Sequence, residues 1–133
     1  VPADGSRGPA SPSSRLLSSA CLFCQIAARQ SPADIQYEDD EVLAFRDLYP
    51  KAPVHLLIVP KRHIESVLTL EPGDVPLVGR LILTARRIGE SMGFGERGYR
   101  LAINCGPEGG QHVGHLHVHF LAGRLQERRV ERR

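Results

Sequence analysis

Hydrophobic and polar positions change period along this chain, and each change marks an element. The runs IQYED (35–39), EVLAFRDL (41–48) and VHLLIVP (54–60) are short, β-branched and aromatic, and predict three strands. The acidic turn Glu38-Asp39-Asp40 makes the first two a hairpin, and YPKAP separates the second from the third. In CLFCQIAARQ, Leu22, Phe23 and Ile26 fall at helical spacing, and SPAD supplies a stop. EPGDVPLVGRLILTARRIGESMG predicts a longer amphipathic helix, with Val78, Leu81, Ile82, Ala85 and Ile88 inward and Arg80, Arg86, Arg87 and Glu90 solvated. Gly93 and Gly95 mark its end. YRLAIN and HLHVHFLA read as two more strands around the glycine-rich loop CGPEGGQHVG. Five strands, a helix before them and a longer helix between the third and fourth predict an α+β domain with a largely antiparallel sheet.

At 133 residues, 41% apolar and 24% charged, the chain suits one compact domain, expected over 21–124. Residues 1–20 are rich in Ser, Pro and Gly, have no apolar period and read as a disordered leader. Their Arg- and Ser-rich, acid-poor composition also suits an organelle transit peptide. The net charge of +2 does not favour nucleic acid as a partner. The basicity sits at the end, where RLQERRVERR holds five Arg and two Glu; residues 125–133 read as an Arg-rich flexible tail without aromatics to stack on bases. No apolar run approaches the roughly 20 residues that cross a bilayer, so no membrane role is expected. Three cysteines are too few for a disulfide framework and suggest an intracellular, cytoplasmic setting, with organelle targeting by the leader as the alternative. Cys21 and Cys24, spaced Cys-x-x-Cys, become candidate metal ligands.

The chemistry concentrates in the histidines, at 55, 63, 112, 115, 117 and 119. On an extended strand the spacing of two sends His115, His117 and His119 to one face, with Leu116, Val118 and Leu121 tending to the other. A lone strand histidine is ordinarily a satisfied or solvated side chain. Three in register beside a glycine-rich loop suit a site where one imidazole attacks while another binds or moves a proton. A trihistidine metal site is the rival, and successive strand positions make a poor tripod for it.

His115-Leu116-His117-Val118-His119-Phe120-Leu121 matches the signature His-φ-His-φ-His-φ-φ, with φ apolar, and so resembles the histidine triad (HIT) superfamily. FRDLYPKAPVHLLIVPKRHI, GYRLAIN and GGQHVGHLHVHFLAGR extend the likeness from about Cys21 to Arg124, and it looks most like the HINT branch of nucleotide-binding proteins. The resemblance implies a HIT-like fold, a five-stranded antiparallel sheet with two helices, and a homodimer that joins two sheets into one.

It further implies a hydrolase acting on a purine nucleotide or nucleoside phosphoramidate through a covalent nucleotidyl-histidine, releasing the nucleoside monophosphate, with no cofactor required for catalysis. By resemblance His117 is the nucleophile, its other N–H expected to be held by a triad carbonyl, that of His115. His119 contacts phosphate and His55 lies behind the nucleophile. Asp47 takes the ribose hydroxyls; Phe23, Ile26, Phe45 and Leu48 line the base, with Arg46 beside them; and Asn104 approaches ribose or phosphate. Backbone N–H groups over Gly109, Gly110, Gln111 and His112 offer an anion nest. His112 stands where HINT-like enzymes usually have serine, which bears on the leaving group, and the chain has no Trp for the usual HINT tail. Cys21 and Cys24 with His63 and His115 match a variant that binds structural zinc. Two rival readings follow: a catalytically weak nucleotide-binding adaptor acting through its dimer surface or tail, and a metal-storage site built from the histidines.

Overall fold

The computed structural model describes residues 21–123, so the readings for the leader and for the tail from Arg124 onward lie outside the described residues. The chain divides into two compact units between Pro32 and Ala33.

The first unit carries helix α1, Leu22–Ala27. Cys21 caps it, its Sγ accepting the Cys24 N–H at 3.5 Å, a sulfur version of the usual side-chain cap. The helix is shorter than expected because the chain leaves it before SPAD. Arg29 takes a left-handed conformation, φ +64°, and Gln30 N–H reaches back to Gln25 O at 2.7 Å. Phe23 and Ile26 are buried, whereas Leu22, expected beside them, is exposed.

The second unit is built on strands β1 (Ile35–Glu38), β2 (Val42–Arg46), β3 (Val54–Pro60), β4 (Arg100–Ala102) and β5 (Val118–Ala122). All pairings are antiparallel, in the order β1-β2-β3-β5-β4, so the last strand enters the sheet interior and β4 is left at an edge. Asp39 closes the first hairpin, its Oδ1 accepting the N–H groups of Glu41 and Val42, both at 2.8 Å. Helix α2, Val75–Ser91, connects β3 to β4 and starts with Pro76 in its first turn. No helix among the described residues is long and apolar enough to cross a membrane.

Period-two alternation divides the sheet residues between two faces. Val42, Ala44, Leu56, Ile58, Val118, Phe120 and Ala122 form a core with Leu81, Ala85 and Ile88 of α2. The buried face of α2 is rotated from the expected stripe: Thr84 and Gly89 are buried, while Ile82 is 42% exposed. Tyr99 packs on this side of the helix: it stacks on Phe120 with ring centroids 4.7 Å apart and lies so close to Gly89 that a Cβ there would meet its Cε2 at 2.4 Å. Only glycine admits the ring, and α2 turns that side to the sheet.

The opposite sheet face carries Leu43, Phe45, Leu57 and Val59, all buried, together with His55 and His119. Two expectations are corrected here. Phe120 rather than Leu121 joins Leu116 and Val118 in the core, because positions of equal parity share a face; Leu121 stands on the histidine side. The last strand also begins at Val118, not His115. Its ladder with β3 runs only as far as Ile58↔Val118; two residues further along β3, Pro60 stands where Leu116 would pair and has no N–H to give. Leu116 N–H turns instead to Ile64 O at 2.6 Å, and residues 113–115 bend.

Candidate active site

That bend breaks the expected straight row of imidazoles and gives each a different partner. His117, just before β5 and almost fully buried, donates from Nδ1–H to the carbonyl oxygen of His115 at 2.7 Å. The proton is thereby held at Nδ1 and Nε2 keeps the lone pair. His115 is completely buried and donates from Nε2–H to Pro60 O at 2.8 Å, so in the neutral ring its lone pair lies at Nδ1. The His63 and His115 rings meet edge-on with centroids 5.0 Å apart. Burial pushes His115 down to about 4, with His63 and His117 adding like charge against the Pro60 hydrogen bond. Burial also lowers His63, opposed by Glu65.

His119, on β5, lies opposite Leu57 of β3 and Ala102 of β4. Its ring meets His117 edge-on, with centroids 5.0 Å apart. Its Nδ1 is 3.0 Å from Nε2 of His55, a ring at a centroid distance of 5.2 Å. His55 was expected behind His117; its hydrogen-bond partner is His119, because β3 and β5 pair at this level while His117 lies beyond the ladder. On its far side His55 Nδ1 accepts the Lys51 N–H at 3.1 Å, which leaves the His55 proton on Nε2, and Asp47 Oδ2 lies 3.4 Å from that nitrogen. Burial holds His119 at about 4, with His117 and His55 adding to the fall. Burial lowers His55 too, with Asp47 opposing. His115, His119 and His55 are therefore all pushed toward the neutral imidazole, each with a tautomer set by its hydrogen bonds.

The glycine-rich loop is shaped by close approach. A Cβ on Gly109 would sit 2.2 Å from Cys105 O, and Gly110 has φ +82°. Asn104 Nδ2 donates to Gly109 O at 2.8 Å, and Gln111 ties the loop with both ends of its amide. Its Oε1 accepts Gly106 N–H at 2.9 Å; its Nε2 donates to Glu65 O at 2.7 Å and Val113 O at 2.9 Å. In this arrangement both amide side chains brace the loop from within.

Comparison with known proteins bears on this row of histidines. A family model described as "Scavenger mRNA decapping enzyme C-term binding" matches residues 20–133. An uncharacterised HIT-like protein of Synechococcus elongatus is 49% identical over 108 residues, covering 81% of this chain and 94% of the relative. The chain belongs to the histidine triad superfamily. A HIT family hydrolase from Legionella pneumophila has a similar structure, with TM-score 0.77 and 44% identity over 78% of this chain and 93% of that one. So does a zinc-bound histidine triad family protein from Mycobacterium smegmatis, with TM-score 0.69 and 30% identity over 81% of this chain and 78% of that one. The five-stranded antiparallel sheet with two helices matches these histidine triad structures.

Around the triad the remaining candidates divide. Phe45 is buried on the histidine face of β2, and Asp47 follows that strand. Arg46 points away to Asp34, with Nε 3.1 Å from its carboxylate. Leu48 is 80% exposed and lines no apolar slot in this conformation. His112 is exposed at the mouth of the loop. Phe23 and Ile26, with Cys21 and Cys24, belong to the first unit. Three participants had no signal in the histidine triad motif: the Lys51 N–H, the Pro60 carbonyl and the Asp47–His55 contact. The first two are backbone groups and carry no side-chain signature; the third needed the pairing of loop and strand.

Proposed function

We propose that this chain is a nucleotide-binding hydrolase that cleaves purine nucleoside phosphoramidates, or related nucleotidyl substrates, with His117 as nucleophile. The observation that carries this is the His117 Nδ1–H bond to the His115 carbonyl, which holds a proton at Nδ1 and makes Nε2 the nitrogen that presents a lone pair in the neutral ring. In this reading Nε2 attacks the α-phosphorus, the bond from phosphorus to the leaving nitrogen breaks as that nitrogen takes a proton from water and departs as the amine, and the nucleotide is carried on His117. Positive charge on the substituted ring is stabilised by the same His115 carbonyl. Water then cleaves the new phosphorus–nitrogen bond and releases the nucleoside monophosphate. His119 Nε2–H and the His112 N–H donate to phosphoryl oxygens, where charge grows in the transition state; the Gly110 and Gln111 N–H groups, expected in the same nest, donate within the loop instead, to Pro107 O at 3.2 Å and Gly106 O at 3.0 Å. The word hydrolase in the name of the Legionella pneumophila relative supports the reaction class.

The reading includes a structural zinc ion on Cys21, Cys24, His63 and His115. Its support is the donor chemistry: a Cys-x-x-Cys helix start, and a His115 ring whose Nε2–H is held by Pro60, leaving Nδ1 as the metal-binding nitrogen. Zinc there would be structural, and no step of hydrolysis passes through it. A homodimer through the β4 edge is also part of the reading, supported by the place of β4 at the end of the sheet and by exposed Ile103 beside it.

The test is rapid-quench mass spectrometry with an adenosine phosphoramidate. A transient adduct of one nucleotidyl group per chain, on the peptide that carries His117, is expected. Product release without any adduct would remove the covalent step, and absence of both would remove the hydrolase.

A further inference from the structure

Asp47, His55 and His119 form a second cluster that the nucleophile does not use directly. His55 Nε2 is 3.0 Å from His119 Nδ1 and 3.4 Å from Asp47 Oδ2. Those separations are close to the roughly 3.3 Å edge of a tetrahedral zinc site, so the cluster suits either a metal ion or a shared proton. The backbone decides between them. Lys51 N–H donates to His55 Nδ1, so that nitrogen needs its lone pair and the proton must sit on Nε2, between His119 and Asp47. A metal on Nε2 would drive the proton to Nδ1, against the Lys51 N–H, in a residue only 3% exposed. Asp47 is clamped for its part: its N–H donates to His55 O at 2.9 Å and its Oδ1 accepts Tyr49 N–H at 2.8 Å, leaving Oδ2 toward the His55 ring.

We propose that Asp47 and His55 lock the tautomer of His119, keeping its Nδ1 an acceptor and its Nε2–H a fixed donor on the ring edge away from His55. A proton added to His119 would go to Nδ1 and face the His55 Nε2–H donor against donor. That proton is relieved only by turning toward Asp47 Oδ2. His119 is therefore a neutral hydrogen-bond donor rather than a proton reservoir. The titratable and charged groups around it are His117, His55, Asp47 and Lys51, and β4 contributes only Ala102 opposite. Asp47 and His55 are positioning residues in this account. It deepens the proposed function by assigning His119 to phosphate oxygens, but its test needs no substrate, so either idea can fail alone.

The test is nitrogen-15 NMR of the histidine-labelled full chain, from about pH 4 to pH 8, which separates the two neutral tautomers and the imidazolium. Wild type should show His119 as the Nε2–H form alone. His55→Phe should mix the tautomers and raise the His119 midpoint by about one pH unit or more. His55→Gln, whose amide can donate from nearly the same place, should restore the single form. Asp47→Asn, at a less buried position, should also mix the forms and serves if the His55 variants do not fold. An Nδ1–H form in wild type, or a His119 signal indifferent to His55→Phe and to Asp47→Asn, overturns the lock. So does a second equivalent of zinc, beyond any structural ion, that binds wild type and is lost in Asp47→Asn.

Discussion

The ring nitrogen Nδ1 of His117 lies 2.7 Å from the backbone carbonyl oxygen of His115, two residues earlier on the same chain. The holding group is main chain, so the His115 ring can be altered without removing it. The His115 ring has a separate task, donating to Pro60 O in a fully buried position.

Substitution should separate these tasks. His117→Ala is expected to abolish turnover of an adenosine phosphoramidate, by on the order of 10⁴-fold or more in kcat, well beyond what its loss of a buried ring and hydrogen bond costs in folding. His115→Ala should keep measurable turnover and lose stability by about 2–4 kcal/mol, because Pro60 O loses its donor and a cavity opens. Single-turnover kinetics beside urea unfolding measures both. Equal loss of turnover in the two variants would mean that the carbonyl alone does not hold the nucleophile.

Acid should destabilise the protein above the carboxylate range. His119 is held at about 4 against an ordinary 6.5, and His55 is lowered as well, so the unfolded chain binds more protons between these values. Stability is then complete above about pH 6.5 and falls as the pH drops toward 4. With allowance for the solvent around His119, its share is about 1–2 kcal/mol. Urea midpoints across this range measure the fall, and His119→Asn should flatten part of it.

Glycines should respond by location. Gly109→Ala forces a Cβ against Cys105 O and should disrupt the loop, costing about 2 kcal/mol or more and lowering turnover. Gly79→Ala, inside α2 with nothing within 4 Å of the new Cβ, should stabilise by about 0.5–1 kcal/mol. Thermal unfolding of the two variants reads opposite signs.

Metal content tests the zinc reading. One zinc per chain is expected by elemental analysis, lost in Cys21→Ser/Cys24→Ser, with a thermal midpoint lowered by several degrees and the His117 nucleotidyl adduct still formed. Undiminished stability after chelation would remove the structural role.

Strand and helix positions were legible because burial imposes a period on local sequence. VHLLIVP reads as a strand and becomes β3 over the same residues. HLHVHFLA has the same strand-like alternation, yet only its second half pairs, because Pro60, more than fifty residues away, ends the ladder. Ile82 fits the helical stripe, yet it is exposed, while Gly89 faces inward with Tyr99 packed against it.

The candidate site divides along the same line. One chain in one dimension determines which residue types recur and at what interval, and that was enough to single out His115, His117 and His119 beside a glycine-rich loop. Which nitrogen of each ring carries a proton was decided only in three dimensions, by the carbonyls of His115 and Pro60 and by the amide of Lys51. Every residue except proline carries the same amide and carbonyl, so such partners leave no mark in the sequence until the fold brings them within hydrogen-bond reach.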